Sequence, residues 1–152
     1  MDKYAFRAEV TSIRPIGLTA QGLRIDISLT GSVTEGQLTG CTIEVIDYLI
    51  IRPDGVGVID ARDTILDGDR VIAAMRAEGY IVPPFPVPEL PVLADPNFQW
   101  PDVDLPAHGA HFWETSREDL STAAATVYGF SGSVNMGAGV LKLSARSLAP
   151  TS

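Results

Sequence analysis

Apolar and polar residues alternate with period two along most of this chain and helical periodicity is scarce, the pattern of strands with one face buried. Leu23, Ile25, Ile27 and Leu29 alternate with Arg24, Asp26, Ser28 and Thr30 in the cleanest such run, and Tyr4, Phe6, Ala8 and Val10 form one face of an earlier strand. Later strands are predicted near Arg70 to Glu78, His108 to Thr115, Ala123 to Val134 and Val140 to Ser147, the last two joined through Asn135, Gly137 and Gly139. Asp119 to Ala125 is long enough for one short helical turn. Eight or nine strands at this spacing predict an all-β sandwich or, more simply, a single closed antiparallel barrel, which removes free edges.

One hairpin can be placed in register. Pro53 presets φ, Asp54 accepts turn hydrogen bonds and Gly55 tolerates φ > 0, which together predict a three-residue loop with a G1 bulge. Arg52 then faces Val56, Tyr48 faces Asp60, Ile46 faces Arg62, and Asp47 faces Ala61 with Asp63 diagonal to it. One face reads Ile43, Val45, Asp47, Leu49, Ile51, Ile59, Ala61, Asp63; the other carries Glu44, Ile46, Tyr48, Ile50, Arg52, Val56, Val58, Asp60 and Arg62. If the first lines the interior, Asp47 and Asp63 sit among aliphatic groups near one another, and both effects raise a carboxyl pKa into the range of a proton donor. The alternatives are a buried structural acid satisfied by backbone N–H groups, or a site on the opposite face built from Tyr48, Asp60 and Arg62.

At 152 residues, 45% hydrophobic and 20% charged, the chain is expected to form one globular domain over 1–152. No apolar run reaches the roughly 18 residues of a membrane span, and the N-terminus shows no leader pattern. Its net charge of −8 disfavours nucleic acid and anionic membranes as partners. Cys41 is alone, which excludes an internal disulfide and a cysteine-built zinc site and accords with a reducing, cytoplasmic location.

The stretch from Ile81 to Pro106 holds eight of the eleven prolines, interspersed with Phe85, Leu90, Leu93, Phe98 and Trp100. Prolines deny it ladder donors, while the large apolar groups call for a packing partner. The segment is expected to be a lid on the barrel's mouth or an arm onto a second copy in a homo-oligomer, with a mobile tether as the remaining option. Beyond it, strand geometry puts His108, Ala110, Phe112 and Glu114 on one face and Gly109, His111, Trp113 and Thr115 on the other, so His108 and His111 do not converge on a metal. His111 or His108 is a candidate general base and Glu114 a second candidate acid. Phosphate-loop, nucleophile-elbow and dinucleotide motifs are absent from the sequence, which points to cofactor-free chemistry.

Taken together, Phe6 to Gly17, Gly22-Leu23-Arg24, the glycines from Gly31 to Gly40, Asp47-Tyr48, Arg52, Asp54-Gly55, Asp60-Ala61-Arg62, Asp67-Gly68 and Phe112 with Glu114-Thr115 resemble the small bacterial and fungal barrel proteins of the domain of unknown function 3237 family. Thr42-Ile43, Tyr48 and the longer proline-rich stretch depart from that pattern. The resemblance implies an antiparallel barrel and says little about chemistry.

The expected function is a cofactor-independent cyclase, isomerase or dehydratase of specialised metabolism. It acts on an apolar oxygenated small molecule in the cavity by general acid/base catalysis or by folding the substrate. Asp47, Glu114, Asp63 and His111 are the candidate catalytic residues, with Tyr48, Trp113, Phe112, Trp100, Asp60 and Arg62 as candidate substrate contacts and no metal. The alternatives are a non-catalytic carrier that shares the cavity and a structural subunit whose arm docks on a partner.

Overall fold

Pro53, Asp54 and Gly55 form the turn their sequence predicts. Arg52 N–H donates to Val56 O at 2.9 Å, Gly55 N–H returns to Arg52 O at 2.9 Å, and Gly55 has φ +87°. That closure fixes the register of β3 (Thr42–Ile51) on β4 (Gly57–Asp67), with Asp47 opposite Ala61 and Ile46 opposite Arg62. Because side chains alternate, the register decides which face is inside. Ile43, Val45, Leu49, Ile51, Ile59, Ala61 and Asp63 are all buried, so the face carrying Asp47 and Asp63 lines the interior.

The computed structural model describes residues 1–150, in which eight antiparallel strands close into a barrel in sequence order. Around this hairpin lie β1 (Lys3–Thr19), β2 (Gly22–Glu35), β5 (Arg70–Ile81), β6 (Leu105–Glu114), β7 (Val127–Asn135) and β8 (Val140–Ser147). Closure comes from β1 on β8, Lys3 to Glu9 pairing with Arg146 to Val140. At Gly31 a β-carbon would stand 1.8 Å from Arg7 O, so this crowded β1–β2 crossing requires glycine.

The two ends of the barrel differ. At the lower end Leu38, Leu120 and Ala123 are buried with Tyr4, Trp113 and Tyr128, and the interior is filled. This plug corrects one boundary. Ala123 was expected to open a strand, but Glu118–Leu120 and Ala123–Ala125 are short 3-10 turns that tuck Leu120 and Ala123 inward, and β7 starts at Val127. At the upper end lie the β1–β2, β3–β4 and β7–β8 turns and the connection 82–104. Ile81 and Pro106 belong to β5 and β6, so this connection is slightly shorter than the sequence stretch 81–106; it contains one helical turn at Leu90–Leu93.

The connection packs onto the upper rim. Leu93 is buried, Leu90, Phe98 and Trp100 pack against the core, and the Phe98 and Trp100 rings meet edge to face at 5.0 Å. Asn135 at the end of β7 ties it down, its Nδ2 donating to Asp102 at 2.8 Å and Asp104 at 3.1 Å. No helix is long and apolar enough to cross a membrane among the described residues.

Candidate active site

Small side chains make the space. The cross-strand row Asp47–Ala61–Ala77–His111 runs over β3, β4, β5 and β6 and places two alanines between the acid and the imidazole. The next row reads Val45–Asp63–Met75–Trp113. With Ala107 in β6, these alanines leave an interior cavity of about 40 Å³, whose polar wall groups among the described residues are Asp47, Asp63, His111 and Asn135. Above it, between the strand ends and the 82–104 connection, lies a second space of about 320 Å³. Leu49, Ile81, Val134 and Met136 border both.

His111 is fully buried and its orientation is set by two neighbours. Trp113 Nε1–H can only donate, and it donates to Tyr4 Oη at 3.1 Å. Tyr4 Oη also lies 2.6 Å from His111 Nδ1 and 3.7 Å from Met75 Sδ. Its hydrogen goes to the better acceptor, the imidazole nitrogen, so His111 carries its proton on Nε2. His111 Nε2 makes no hydrogen bond to a described residue, and the ring lines the cavity. Phe130 stacks on it at 4.5 Å and Phe6 at 6.0 Å. Burial among these rings pushes the imidazole pKa down to about 3, so the ring is neutral at physiological pH.

Asp63 is 3% exposed, and its Oδ1 has no partner among the described residues. Burial, then the nearby charge of Asp47, push its pKa up to about 8. Asp47 is partly exposed and its Oδ1 accepts the Asp60 backbone N–H at 3.1 Å. That bond stands where the β3–β4 ladder is interrupted between Asp47–Ala61 and Ile50–Val58, the side chain taking the amide that Tyr48 O would hold. Burial raises Asp47 to about 7, opposed by this hydrogen bond and assisted by Asp60 and Asp26. Both carboxyls are therefore raised chiefly by burial, and a charge on Asp47 disfavours ionisation of Asp63.

The other expected site residues lie elsewhere. Glu114 is exposed on the outer face, away from the cavity, because β6 turns His111 and Trp113 inward. Phe112 is outside too, under the Arg76 guanidinium at 4.5 Å. Tyr48 sits outside beneath Arg24 at 5.4 Å, and Asp60 and Arg62 form an exposed ion pair at 3.2 Å. Trp113 is inside but below the cavity wall, where it positions Tyr4. Trp100 borders the upper space. Tyr4 and Asn135 were missed as site residues. A tyrosine on the apolar face of β1 is the signal that pointed to Tyr4, since a buried phenol needs partners.

No family model matches the chain, and no curated protein matches it. Solved structures do share its architecture. A conserved protein of unknown function from Rhodopseudomonas palustris is 17% identical with a TM-score of 0.71, over 97% of this chain and 95% of that one. A protein of unknown function from Clostridium acetobutylicum is 19% identical with a TM-score of 0.73, over 98% and 100%. A β-barrel-like protein from Acinetobacter baumannii is 19% identical with a TM-score of 0.67, over 95% and 91%. At this identity the likeness concerns the fold.

Proposed function

We propose that this protein is a cofactor-independent enzyme that performs general acid/base chemistry on an apolar oxygenated small molecule inside the barrel, as an isomerase, cyclase or dehydratase. The observation that carries this reading is that two buried polar groups without protein partners, Asp63 Oδ1 and His111 Nε2, lie on the wall of one cavity. A buried polar group left unpaired costs stability, and such groups gather where a ligand completes them.

Burial raises both carboxyls well above the ordinary carboxyl range, and the charge of Asp47 raises Asp63 further, so the pair holds back a proton near neutral pH and offers one acid and one base from the same residue type. Diagonal positions on adjacent strands stand roughly 7–8 Å apart, with their β-carbons somewhat closer, room for a carbonyl and its α-carbon. Asp47 takes the α-proton, the C–H pair becomes a C=C bond, and the carbonyl π pair moves to oxygen, which receives the Asp63 proton. Returning a proton at another carbon isomerises the substrate; expelling a β-hydroxyl as water dehydrates it. The His111 Nε2–H supplies a fixed, neutral donor to the developing oxyanion. The 82–104 connection acts as a lid in this scheme, and the resemblance to the domain of unknown function 3237 family is part of the same proposal.

The test is hydrogen–deuterium exchange at the α-carbon of apolar ketones in D2O, followed by NMR. Wild-type protein accelerates exchange, and D63N and D47N each reduce it by about 10²–10⁴-fold. Exchange unaffected by both substitutions refutes the reading. The apolar wall of the 320 Å³ space favours a second reading, a carrier that binds the same class of molecule without turnover.

A further inference from the structure

The charge and hydrogen-bonding sense of the two adjoining spaces define the ligand more narrowly, an inference that rests on the reading above. The inner cavity presents a donor of fixed sense at His111 Nε2, because Tyr4 occupies Nδ1. It presents a second buried group at Asp63 Oδ1, and no Lys or Arg stands on its wall among the described residues. An anionic ligand therefore meets two carboxyl groups and no cation, and loses its hydration without compensation. A cationic ligand would be attracted by the carboxyls but would place its own donors against the Nε2–H donor.

The upper space takes the rest of the molecule. Phe85, Leu93, Phe98 and Trp100 of the 82–104 connection face Ile51 and Met136 of the barrel across it, and Gln99 is the polar residue on its wall. Aromatic and aliphatic walls of this kind hold a ring or a branched hydrocarbon by contact area rather than by directed bonds. The inner cavity, at about 40 Å³, accommodates a head group of a few atoms.

We propose that this site binds an uncharged molecule with a single carbonyl-type acceptor at one end, seated between His111 and Asp63, and an apolar body of cyclic size held under the 82–104 connection. The site discriminates by charge at the head group. A ketone is preferred over the carboxylate or the ammonium compound of the same skeleton.

A matched trio tests this: cyclohexyl methyl ketone, cyclohexanecarboxylate and cyclohexylmethylammonium, titrated at pH 7 into the full chain by calorimetry and by the ¹⁵N shift of His111 Nε2. The ketone is expected to bind at least tenfold more tightly than either ion and to shift the Nε2 resonance. A77L, which fills the inner cavity while leaving Asp63 and His111 in place, removes ketone binding without changing the near-ultraviolet circular dichroism. Equal or tighter binding of the carboxylate or the ammonium compound overturns the inference, as does failure of the ketone to bind at millimolar concentration. Selective ketone binding without α-proton exchange upholds the ligand class and rejects the enzymatic reading. Exchange activity with equal affinity for the ketone and an ion does the reverse.

Discussion

Tyr4 Oη and His111 Nδ1 stand 2.6 Å apart inside the barrel, and this contact decides which imidazole nitrogen faces the cavity. In the ¹⁵N spectrum of wild-type protein the proton is expected on Nε2, with Nδ1 unprotonated. Y4F removes the acceptor of Trp113 Nε1–H and the donor to Nδ1 at once, leaving two buried groups unpaired. A stability loss of about 1–3 kcal/mol in urea melts is expected, together with a mixture of tautomers. A proton on Nδ1 in the wild type contradicts the relay.

Stability should fall as pH rises through neutrality. Asp47 and Asp63 keep their protons to about 7 and about 8 when folded but lose them near pH 4 when unfolded. Between those limits the native state holds more protons at these sites, so the contribution present at low pH is lost on going up. His111 acts in the opposite direction: its folded pKa of about 3 lies below the unfolded value of 6.5, so stability is lost as pH drops through that window. Two carboxyls outweigh one imidazole, and the net slope is on the order of −1 kcal/mol per pH unit from pH 4 to 8. D63N should flatten this slope and be more stable than wild type at pH 8 in urea melts; an unchanged slope would falsify the assignment.

Filling the cavity should separate stability from binding. Ala61 and Ala77 lie between Asp47 and His111 in one row, and A61L projects a larger side chain into the space they leave. Overpacking is expected to cost about 1–3 kcal/mol in thermal or urea melts while removing ligand binding. Full binding by a folded A61L protein shows that the ligand sits elsewhere.

The 82–104 connection is tied at two points that substitution can release. Asn135 holds Asp102 and Asp104, and a β-carbon at Gly55 would stand 2.2 Å from Val87 Cγ2. N135A should speed amide exchange across 98–104, and V87A, which removes the methyl seated on Gly55, across 82–90, with β2 to β4 core amides unaffected. Uniform acceleration over the whole chain would mean these contacts hold the barrel rather than the connection.

Legibility from sequence followed the range of the interactions. The turn at Pro53-Asp54-Gly55 is local chemistry, so the β3–β4 register and the diagonal placement of Asp47 and Asp63 on one face could be read directly. Alternation divided β6 into a His111–Trp113 face and a Phe112–Glu114 face, while the choice of the inner one came only with the closed barrel. What the period of two cannot give is which residues from distant strands meet: Tyr4 and His111 are 107 residues apart, and only closure of β1 on β8 brings them together. Glu114 was misjudged because Phe112 made its face look apolar, whereas Phe112 is covered by Arg76 on the outside. The short helical turn expected within Asp119 to Ala125 is present as two 3-10 turns, whereas the start of β7 was set too early because Ala-rich sequence suits strand and turn alike. The cavity itself arises from alanines, whose significance is visible only once Ala61, Ala77 and Ala107 share one interior.

A single titration bears on whether the barrel holds a proton donor at neutral pH: the ¹³C carboxyl shifts of Asp63 and Asp47 followed from pH 3 to 10. Midpoints near 8 for Asp63 and near 7 for Asp47 are expected, both displaced from the ordinary carboxyl range. An Asp63 resonance that titrates near pH 4 would mean the carboxyl is ionised at neutral pH, and the acid/base proposal would fall with it.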